Sequence, residues 1–391
     1  MNYNFDEKIE RRGSDCVKYD LLKALYGDDD LLPMWVADMD FRSPDFVMEA
    51  LRKRCSHEVL GYAIPSEGYN IAVTSWLREH YNIHANRDEL HFIPGIVAGI
   101  SYALLCLTQP GDKILVTTPV YPPFLNLPTA AGRETVCSKL KIEKGRFAID
   151  FDDFERKAKE CKIFLMSNPH NPAGTIWGKE VLSRVAEICE REGLLVISDE
   201  IHADMVLGGR THVSYSTVND IAFNHSITFM APSKTFNIAG LGSSTCYIGN
   251  RELRKRFFGW LEGLGVAGGN IFAFTGAEAA FSHGEEWRRQ MVKYLDGNVE
   301  TLRDFISEKM PLVKVVLPEA SYLAWLDMGK YGISHAELSR IIVEKARLAL
   351  NDGTTFGGKD YECCFRINIG CPRATLVEGL SRLCQALQAR L

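Results

Sequence analysis

Short apolar runs alternate with amphipathic segments through the middle of the chain. Runs of four or five residues, bounded by Gly, Pro, Asn or charged residues, predict buried strands at 113–117, 162–166, 194–198, 226–230 and 245–248. Between two of these runs, residues 179–192 carry apolar side chains at helical spacing. Strands that alternate with helices form crossover units, so this region predicts a mainly parallel sheet with helices on both faces.

The pattern changes after about residue 285. A long amphipathic segment at 286–310 predicts a helix, as do residues 334–345 and the segment that begins at Arg373. Shorter apolar runs predict strands at 313–317, 322–326 and 364–369. A chain of 391 residues is long enough for two domains. We therefore predict an α/β protein with a large domain at 46–284 and a smaller α+β domain formed by 1–45 and 285–391.

Composition and charge exclude several classes of protein. With 46% apolar and 24% charged residues the chain is of ordinary globular composition, and its net charge of −5 argues against a nucleic-acid-binding face. No apolar stretch approaches the roughly 18 to 20 residues of a membrane span, and the charged first twelve residues lack the apolar core of a secretion signal. The eleven cysteines include no C-x-x-C pair and no His at zinc-ligand spacing. We expect a cytoplasmic protein with reduced cysteines and no metal.

Lys234 follows the predicted strand 226–230, in the hexapeptide APSKTF. Ligands of open α/β sheets bind at the carboxyl ends of the strands. Apolar neighbours lower the pKa of a lysine, so that its amine can attack a carbonyl carbon and form a Schiff base. A lysine on an exposed surface loop fits the same six residues, and both interpretations stay open at this point.

Asp199 ends another predicted strand, in the segment ISDEIH. A buried carboxylate needs a cationic or N–H partner, and the protonated nitrogen of a pyridine ring would serve while the carboxylate preserves the ring as an electron sink. The alternative is a metal site formed by four side chains, those of Asp199, Glu200, His202 and Asp204. Neighbours along one strand point to opposite faces, which disfavours that alternative.

Two glycine-containing turns also carry candidate chemistry. Residues 167–174 (SNPHNPAG) follow the strand 162–166, and their two Asn-Pro steps mark a rigid turn, which taken alone is only a loop. Residues 94–100 (PGIVAGI) precede an apolar helical run. Backbone N–H groups at such a helix start bind phosphate readily, and the Ser233 hydroxyl could add a further hydrogen bond.

An arginine and a tyrosine complete the set of candidates. Arg366 lies in the apolar run CFRINI, where a buried guanidinium needs a partner. That partner is either the α-carboxylate of an amino-acid substrate, bound through two hydrogen bonds, or an internal salt bridge. Tyr121 follows the strand 113–117 and would either stack on a flat cofactor or pack in the core.

Taken together, these motifs resemble the fold type I pyridoxal 5′-phosphate enzymes, the superfamily with the aspartate aminotransferase-like fold. The order matches over essentially the whole chain: the helix-start phosphate loop, the aromatic residue, NPHNP, DEIH, SK and a late Arg. Within that superfamily the chain is similar to the carbon–sulfur lyase, or cystathionine β-lyase, branch. The similarity rests on the strings MWVADMDF at 34–41, SKTFNIAGL at 233–241 and YLAWLD at 322–327.

The resemblance implies a role for each matching residue. Lys234 corresponds to the Schiff-base lysine, Asp199 to the partner of the pyridine nitrogen and Tyr121 to the aromatic residue stacked on the ring, and these three form the implied catalytic set. The other implied cofactor contacts are Asn171 and His202 at the ring oxygen, Val97, Ala98 and Ser233 at the phosphate, and Tyr62 from a neighbouring subunit. The implied substrate contacts are Arg366, Val36 and Ala37.

The same resemblance implies a reaction and an assembly. The reaction is β-elimination from L-cystathionine or another cysteine S-conjugate to a thiol, pyruvate and ammonia, in a homodimer. An aminotransferase on the same fold is the alternative enzyme. A regulatory binding protein is the other alternative, because this branch includes a member that modulates a transcription activator. Gly242 departs from the superfamily pattern, since many aminotransferases have a phosphate-binding Arg there; phosphate binding is then expected to rely on neutral donors.

Overall fold

A computed structural model describes residues 2–266 and 268–389 of the chain. Its largest element is an eight-stranded sheet. The strands are β1 (Leu90–Ile93), β2 (Lys113–Thr118), β3 (Glu134–Glu143), β4 (Arg146–Ile149), β5 (Cys161–Ser167), β6 (Leu195–Asp199), β7 (Ser226–Met230) and β8 (Ser244–Tyr247). They lie in the order β1-β8-β7-β6-β5-β2-β3-β4. The five strands from β7 to β3 in that order run parallel, whereas β8, β1 and β4 pair antiparallel with their neighbours. The predicted mostly parallel α/β sheet is thereby confirmed.

The α-helices are the second major component of the described chain. They are α1 (Val17–Asp20), α2 (Leu22–Tyr26), α3 (Asp45–Cys55), α4 (Glu67–Tyr81), α5 (Ile96–Leu107), α6 (Pro122–Ala130), α7 (Phe151–Ala158), α8 (Lys179–Glu192), α9 (Asp220–Asn224), α10 (Arg251–Leu264), α11 (Ile271–His283), α12 (Glu285–Lys309), α13 (His335–Arg340) and α14 (Arg373–Gln388). Within the described residues, no helix combines the length and the apolar character that crossing a membrane requires.

Alternate residues of the parallel strands pack into two separate cores, one on each face of the sheet. Phe164 and Val196 join Leu182 of α8 in one core. Ile163 and Ile197 pack with α5 and α10 in the other. Because side chains alternate along a strand, strands that are apolar throughout require helices on both faces, as predicted.

A second sheet of four antiparallel strands follows. Its strands are β9 (Lys314–Val316), β10 (Leu323–Asp327), β11 (Asn351–Asp352) and β12 (Cys364–Asn368), in the order β9-β10-β12-β11. The predicted elements in this part of the chain are found to within one residue, except that the predicted helix 334–345 leaves α-helical geometry after Arg340 and continues as a wider π-helical turn to Lys345.

The N-terminal residues pack against this second part of the chain. Phe5 contacts Trp287 of α12 edge to face, and the short strand Leu32–Pro33 pairs in parallel with Leu348–Ala349. The N-terminal residues thus contact elements of the C-terminal part of the chain. The domain boundaries at 45/46 and 284/285 stay a prediction, and Met1, Arg390 and Leu391 of the predicted smaller domain lie outside the described residues.

Candidate active site

A cavity of about 230 Å³ opens where the parallel strands end. The register of these strands places Ser167 of β5, Asp199 of β6 and Phe229 of β7 side by side, so the loops that follow meet at one edge of the sheet. Eight predicted site residues line the cavity: Ala37, Val97, Tyr121, Asn171, Asp199, His202, Ser233 and Lys234. The residues predicted at the strand ends thus line one common cavity.

Lys234 lies in the turn that follows β7 and directs its side chain into the cavity. Its Nζ donates a hydrogen bond to the main-chain oxygen of Ala37 over 2.6 Å. Burial, with a smaller contribution from the charge of Arg366, lowers the pKa of the Lys234 amine to about 8, although Asp38 and Asp199 oppose the change. About a tenth of this amine is therefore neutral, and nucleophilic, at pH 7, far more than for an ordinary lysine. The position excludes the interpretation of Lys234 as an exposed loop residue.

Asp199 is buried at the end of β6 without a cationic partner. The main-chain N–H of Ile201 donates to its Oδ1 over 3.1 Å, and no Lys, Arg or His of the described residues lies within ion-pair distance of it. Burial raises the pKa of the Asp199 carboxyl to about 7, even though that N–H and the charge of Lys234 both act in the opposite direction. A buried carboxylate in this state requires a positive group. The protonated nitrogen of a pyridine ring fits it.

His202 is also buried beside the cavity, and it is neutral. Burial lowers the pKa of its imidazole to about 3, and the positive charges of Lys234 and Arg366 lower it further. A hydrogen bond of 3.0 Å joins its Nδ1 to the hydroxyl of Ser321. This bond fixes the orientation of the ring, and sequence reasoning did not anticipate Ser321.

Arg366, on β12 of the second sheet, contacts the cavity residue Asn171 without lining the cavity itself, and it remains incompletely paired. Its Nη1 donates to Oδ1 of Asn171 over 3.0 Å, and its Nη2 donates to the oxygen of Trp35 over 2.8 Å and to Oδ1 of Asn351 over 2.5 Å. All three acceptors are neutral. Burial lowers the pKa of the Arg366 guanidinium to about 10.

The Nε atom of Arg366 is buried and has no hydrogen-bond partner among residues 2–266 and 268–389. No carboxylate of those residues forms an ion pair with this guanidinium. The alternative of an internal salt bridge is therefore wrong. A guanidinium with its charge unbalanced and one N–H unused is suited to a carboxylate that arrives with a ligand.

Tyr121 and Asn171 belong to two loops that are joined to each other. Tyr121 is the N-cap residue of α6, and its main-chain N–H donates to the main-chain oxygen of Asn171 over 2.9 Å. The main-chain N–H of Asn171 in turn donates to the hydroxyl of Ser167 over 3.1 Å. Burial raises the pKa of the Tyr121 phenol, and its half-buried ring lines the cavity instead of packing wholly in the core.

The start of helix α5 forms another wall of the cavity. Gly95 caps the helix, and Ile96 and Val97 line the cavity with it. The first N–H groups of a helix have no partner within the helix, and together with the helix dipole they attract an anion. Ala98 lies in the same first turn without lining the cavity. The Ser233 hydroxyl faces this region from the turn that carries Lys234.

A segment that we name the strap, residues 35–39, borders the cavity through Ala37. The oxygen of Ala37 accepts hydrogen bonds from Lys234 and from the buried phenol of Tyr322, the second over 3.0 Å. Asn368 holds the strap from the second sheet, because its Nδ2 donates to the oxygens of Val36 and Asp38 over 2.6 Å each. Val36 therefore contributes main-chain contacts to the strap, whereas Ala37 reaches the cavity.

Four charged side chains fix the end of the strap. Lys18, which is only 1% exposed, places its Nζ 2.7 Å from Asp40, and Arg11 contacts Asp38 over 2.7 Å and Asp40 over 2.6 Å. Buried charges of opposite sign at these distances stabilise a unique geometry. Sequence reasoning missed Arg11 and Lys18, although a charged N-terminus without a helical or strand pattern was the signal available.

One predicted cofactor contact, Tyr62, does not line the cavity of this single chain, and the residues of the alternative metal site do not form a cluster. Tyr62 is fully exposed, in an irregular segment between α3 and α4. The proposed metal ligands also diverge. Asp204 accepts hydrogen bonds from Trp76 and Tyr81, and Glu200 contacts His212 over 2.9 Å. Among the described residues, no group of three His, Cys, Asp or Glu side chains is arranged to hold a metal ion.

A parallel sheet with a buried lysine, an unpaired aspartate and a helix N-terminus at its carboxyl edge defines the aspartate aminotransferase-like fold of type I pyridoxal-phosphate enzymes. Residues 31–383 match the family described as aminotransferase class I and II. The chain belongs to that family.

Individual relatives are similar over their whole length. The chain is 41% identical over 386 residues to cystathionine β-lyase PatB of Bacillus subtilis, which covers 98% of this chain and 100% of the relative. The structure of cystalysin from Treponema denticola, which contains pyridoxal 5′-phosphate, superposes with a TM-score of 0.95 at 31% identity and covers 100% of both chains. The pyridoxal-phosphate-bound C–S lyase from Staphylococcus hominis superposes with a TM-score of 0.91 at 34% identity, covering 99% of this chain and 98% of that one.

Proposed function

We propose that this chain is a pyridoxal 5′-phosphate-dependent carbon–sulfur β-lyase that cleaves L-cystathionine or related cysteine S-conjugates. The observation that carries the proposal is the charge arrangement around Lys234. The charges of an unpaired carboxylate, Asp199, and of an unpaired guanidinium, Arg366, both act on this amine. These groups match the positive ring nitrogen of the cofactor and the carboxylate of an amino acid. The names of the full-length relatives support the lyase reaction.

The residues present fit the cofactor on their own chemistry. Lys234 would bond to its aldehyde carbon, and Asp199 would hold the proton on its ring nitrogen. The remaining contacts would come from Tyr121 at the ring face, Asn171 and His202 at the ring oxygen, and Ser233 with the N–H groups of Val97 and Ala98 at the phosphate. When bound, pyridoxal phosphate withdraws electrons from the substrate Cα, which acidifies the α-proton and permits a leaving group to depart from Cβ.

Lys234 acts as the general base of the reaction. Its amine, with a pKa of about 8, accepts the α-proton at Nζ and can return it to a neighbouring atom. Asp199 keeps its negative charge opposite the ring nitrogen, because separating the two would leave a buried charge unpaired. Arg366 orients the substrate by binding its α-carboxylate through the unused Nε and a neighbouring Nη. The strap holds the Lys234 amine through the main-chain oxygen of Ala37.

The overall reaction consumes one water molecule. L-cystathionine and water give homocysteine, pyruvate and ammonia, with the Cβ–S bond broken and the thiolate taking up a proton. The purified protein should release pyruvate from L-cystathionine without an added keto acid. A protein that is silent until a keto acid is supplied, and then forms the corresponding amino acid, is a transaminase, and the lyase proposal would be wrong. A protein that binds neither cofactor nor substrate would contradict both enzyme assignments.

A homodimer with shared active sites forms part of the proposal. The irregular segment between α3 and α4 exposes four large side chains, at fractions from 61% to 112%: Val59, Leu60, Tyr62 and Ile64. A cluster of this kind is characteristic of a surface that another chain covers, and obligate dimers bury about 2,000 Å² or more. We infer that Tyr62 reaches the cofactor of the partner subunit. The eleven free cysteines support a reducing compartment, the cytoplasm.

A further inference from the structure

Ser243 has a buried hydroxyl group that nothing in the apoprotein uses. The residue is only 3% exposed, and no hydrogen-bond partner for its Oγ exists among the described residues. Ser243 lines the same cavity as Lys234 and Asp199. A buried hydroxyl without a partner destabilises the folded state. Its presence in the cavity wall therefore points to a partner that arrives with a ligand.

The strand register places Ser243 beside the start of α5. Strand β8 is antiparallel to β1, and Ser244 pairs with Ile93, so Ser243 comes opposite Pro94 one step further along. Pro94 and Gly95 directly precede α5, whose first N–H groups attract an anion. Two independent features, a helix N-terminus and an unpaired buried hydroxyl, thus meet at the same end of the cavity.

The backbone at Gly242 explains why neutral donors are needed there. Gly242 has a φ of +61°, and a Cβ atom at this position would lie 3.0 Å from the main-chain oxygen of Pro94. A side chain is therefore disfavoured both by the left-handed backbone and by the contact. An arginine at position 242, which would bind an anion by charge, is disfavoured by this geometry.

We propose that the Ser243 hydroxyl donates a hydrogen bond to the phosphate group of pyridoxal phosphate, alongside Ser233 and the N–H groups at the start of α5. Phosphate oxygens are strong acceptors, and a hydrogen bond to a charged group is roughly twice as strong as a neutral one. The assignment rests on the proposed function, because the cofactor supplies the phosphate. Ser243 then contributes to phosphate binding, which in many aminotransferases involves an arginine at the position of Gly242.

The test compares the cofactor with and without its phosphate. Full-length holoenzyme of the wild type and of Ser243→Ala is stripped and titrated with pyridoxal phosphate or with pyridoxal, and the dissociation constant of each is measured from the change in tryptophan fluorescence. The phosphorus-31 resonance of the bound cofactor is recorded in parallel. Ser243→Ala should weaken pyridoxal phosphate about ten-fold to a hundred-fold and leave pyridoxal unchanged. The phosphorus resonance should shift.

A matched control is provided by Ser339, whose hydroxyl is also buried and without a hydrogen-bond partner among the described residues but lies on α13, away from the cavity. Ser339→Ala should change neither dissociation constant. Apoprotein of Ser243→Ala should melt at or above the wild-type temperature, because the substitution removes an unpaired polar group; this shows that the variant folds.

Each other outcome overturns the assignment. Equal losses for pyridoxal phosphate and pyridoxal would mean that the hydroxyl acts elsewhere than on the phosphate. An unchanged dissociation constant for pyridoxal phosphate would mean that Ser243 does not bind it. Wild-type protein that binds no pyridoxal phosphate would contradict the proposed function itself, which distinguishes that failure from failure of the Ser243 assignment.

Discussion

Replacing Asp199 by asparagine should stabilise the apoprotein and at the same time weaken its function. Asparagine has the shape of the aspartate side chain and carries no charge. In the apoprotein, Asp199 is a buried carboxylate with one main-chain hydrogen bond and no cationic partner among the described residues. An ionised carboxylate in that environment destabilises the folded apoprotein, and the substitution removes this destabilisation. With the cofactor bound, the positive ring nitrogen offsets the charge, so the advantage of asparagine should disappear.

The magnitude follows from the pKa of Asp199, which burial raises to about 7 from the usual value of 3.8. Below pH 4 the carboxyl is protonated in both the folded and the unfolded chain, and it does not affect stability. Above that pH the unfolded chain releases its proton first, so the free energy of unfolding falls by about 1.4 kcal/mol per pH unit until the folded carboxyl also ionises near pH 7. The full loss is about 4 kcal/mol, and about 3 kcal/mol of it accrues between pH 5 and pH 8.

The assay is urea unfolding of wild-type and Asp199→Asn apoprotein at pH 5, 6, 7 and 8. The variant should already be somewhat more stable at pH 5, where the unfolded carboxyl is mostly ionised, and its advantage should increase as the pH rises to 8. Asp153→Asn is a control in which the free energy of unfolding should change in the opposite direction. Burial acts to raise the pKa of Asp153, but hydrogen bonds from Lys157 and Ser138 outweigh it and the pKa is lowered, so this variant should lose stability at neutral pH. If the difference in the free energy of unfolding between wild type and Asp199→Asn is the same at every pH, the reasoning is refuted.

Three further predictions concern the other groups of the site. Lys234→Ala should abolish turnover and the visible absorption band of lysine-bound cofactor; an active variant with the wild-type spectrum would exclude Lys234 as the cofactor lysine. Arg366→Ala should raise KM by the equivalent of about 2–5 kcal/mol, the cost of truncating one member of a buried charge pair, while the cofactor spectrum stays intact; an unchanged KM would remove Arg366 from substrate binding. Sedimentation should show a dimer. When the inactive variants Lys234→Ala and Tyr62→Ala are mixed, activity should return, because one of the two sites in each hybrid dimer carries neither substitution. Mixtures that stay inactive would contradict a shared site.

The residues at the strand ends could be predicted because their signal is local. Lys234, Asp199 and Asn171 each follow an apolar run of about five residues, and parallel strands must bring such positions to one edge of the sheet. Strands β3 and β4 were not predicted. The second half of β3 is largely solvent-exposed and carries Lys139 and Lys141, so the apolar run that marks a buried strand is missing there.

The contacts that complete the site could not be predicted, because they join positions far apart in the chain. The bond from Lys234 to Ala37 spans 197 residues, and that from Arg366 to Asn171 spans 195. Local propensity carries no information about such pairs. The choice between a substrate-binding and a salt-bridged Arg366 depended entirely on which side chains the fold placed beside it, and every acceptor proved to be neutral.

The groups left unpaired in and beside this cavity differ chemically, and together they indicate which charges a ligand must carry. Asp199 needs a cation, the Nε of Arg366 needs an acceptor and the hydroxyl of Ser243 needs a partner of its own. A ligand that carries a protonated ring nitrogen, a carboxylate and a phosphate would satisfy all three. Each unpaired group lowers the stability of the apoprotein, so selection for stability alone would replace it with an apolar or neutral residue. Stability and ligand binding therefore oppose each other at these positions, and substitutions that stabilise the apoprotein there should weaken cofactor or substrate binding.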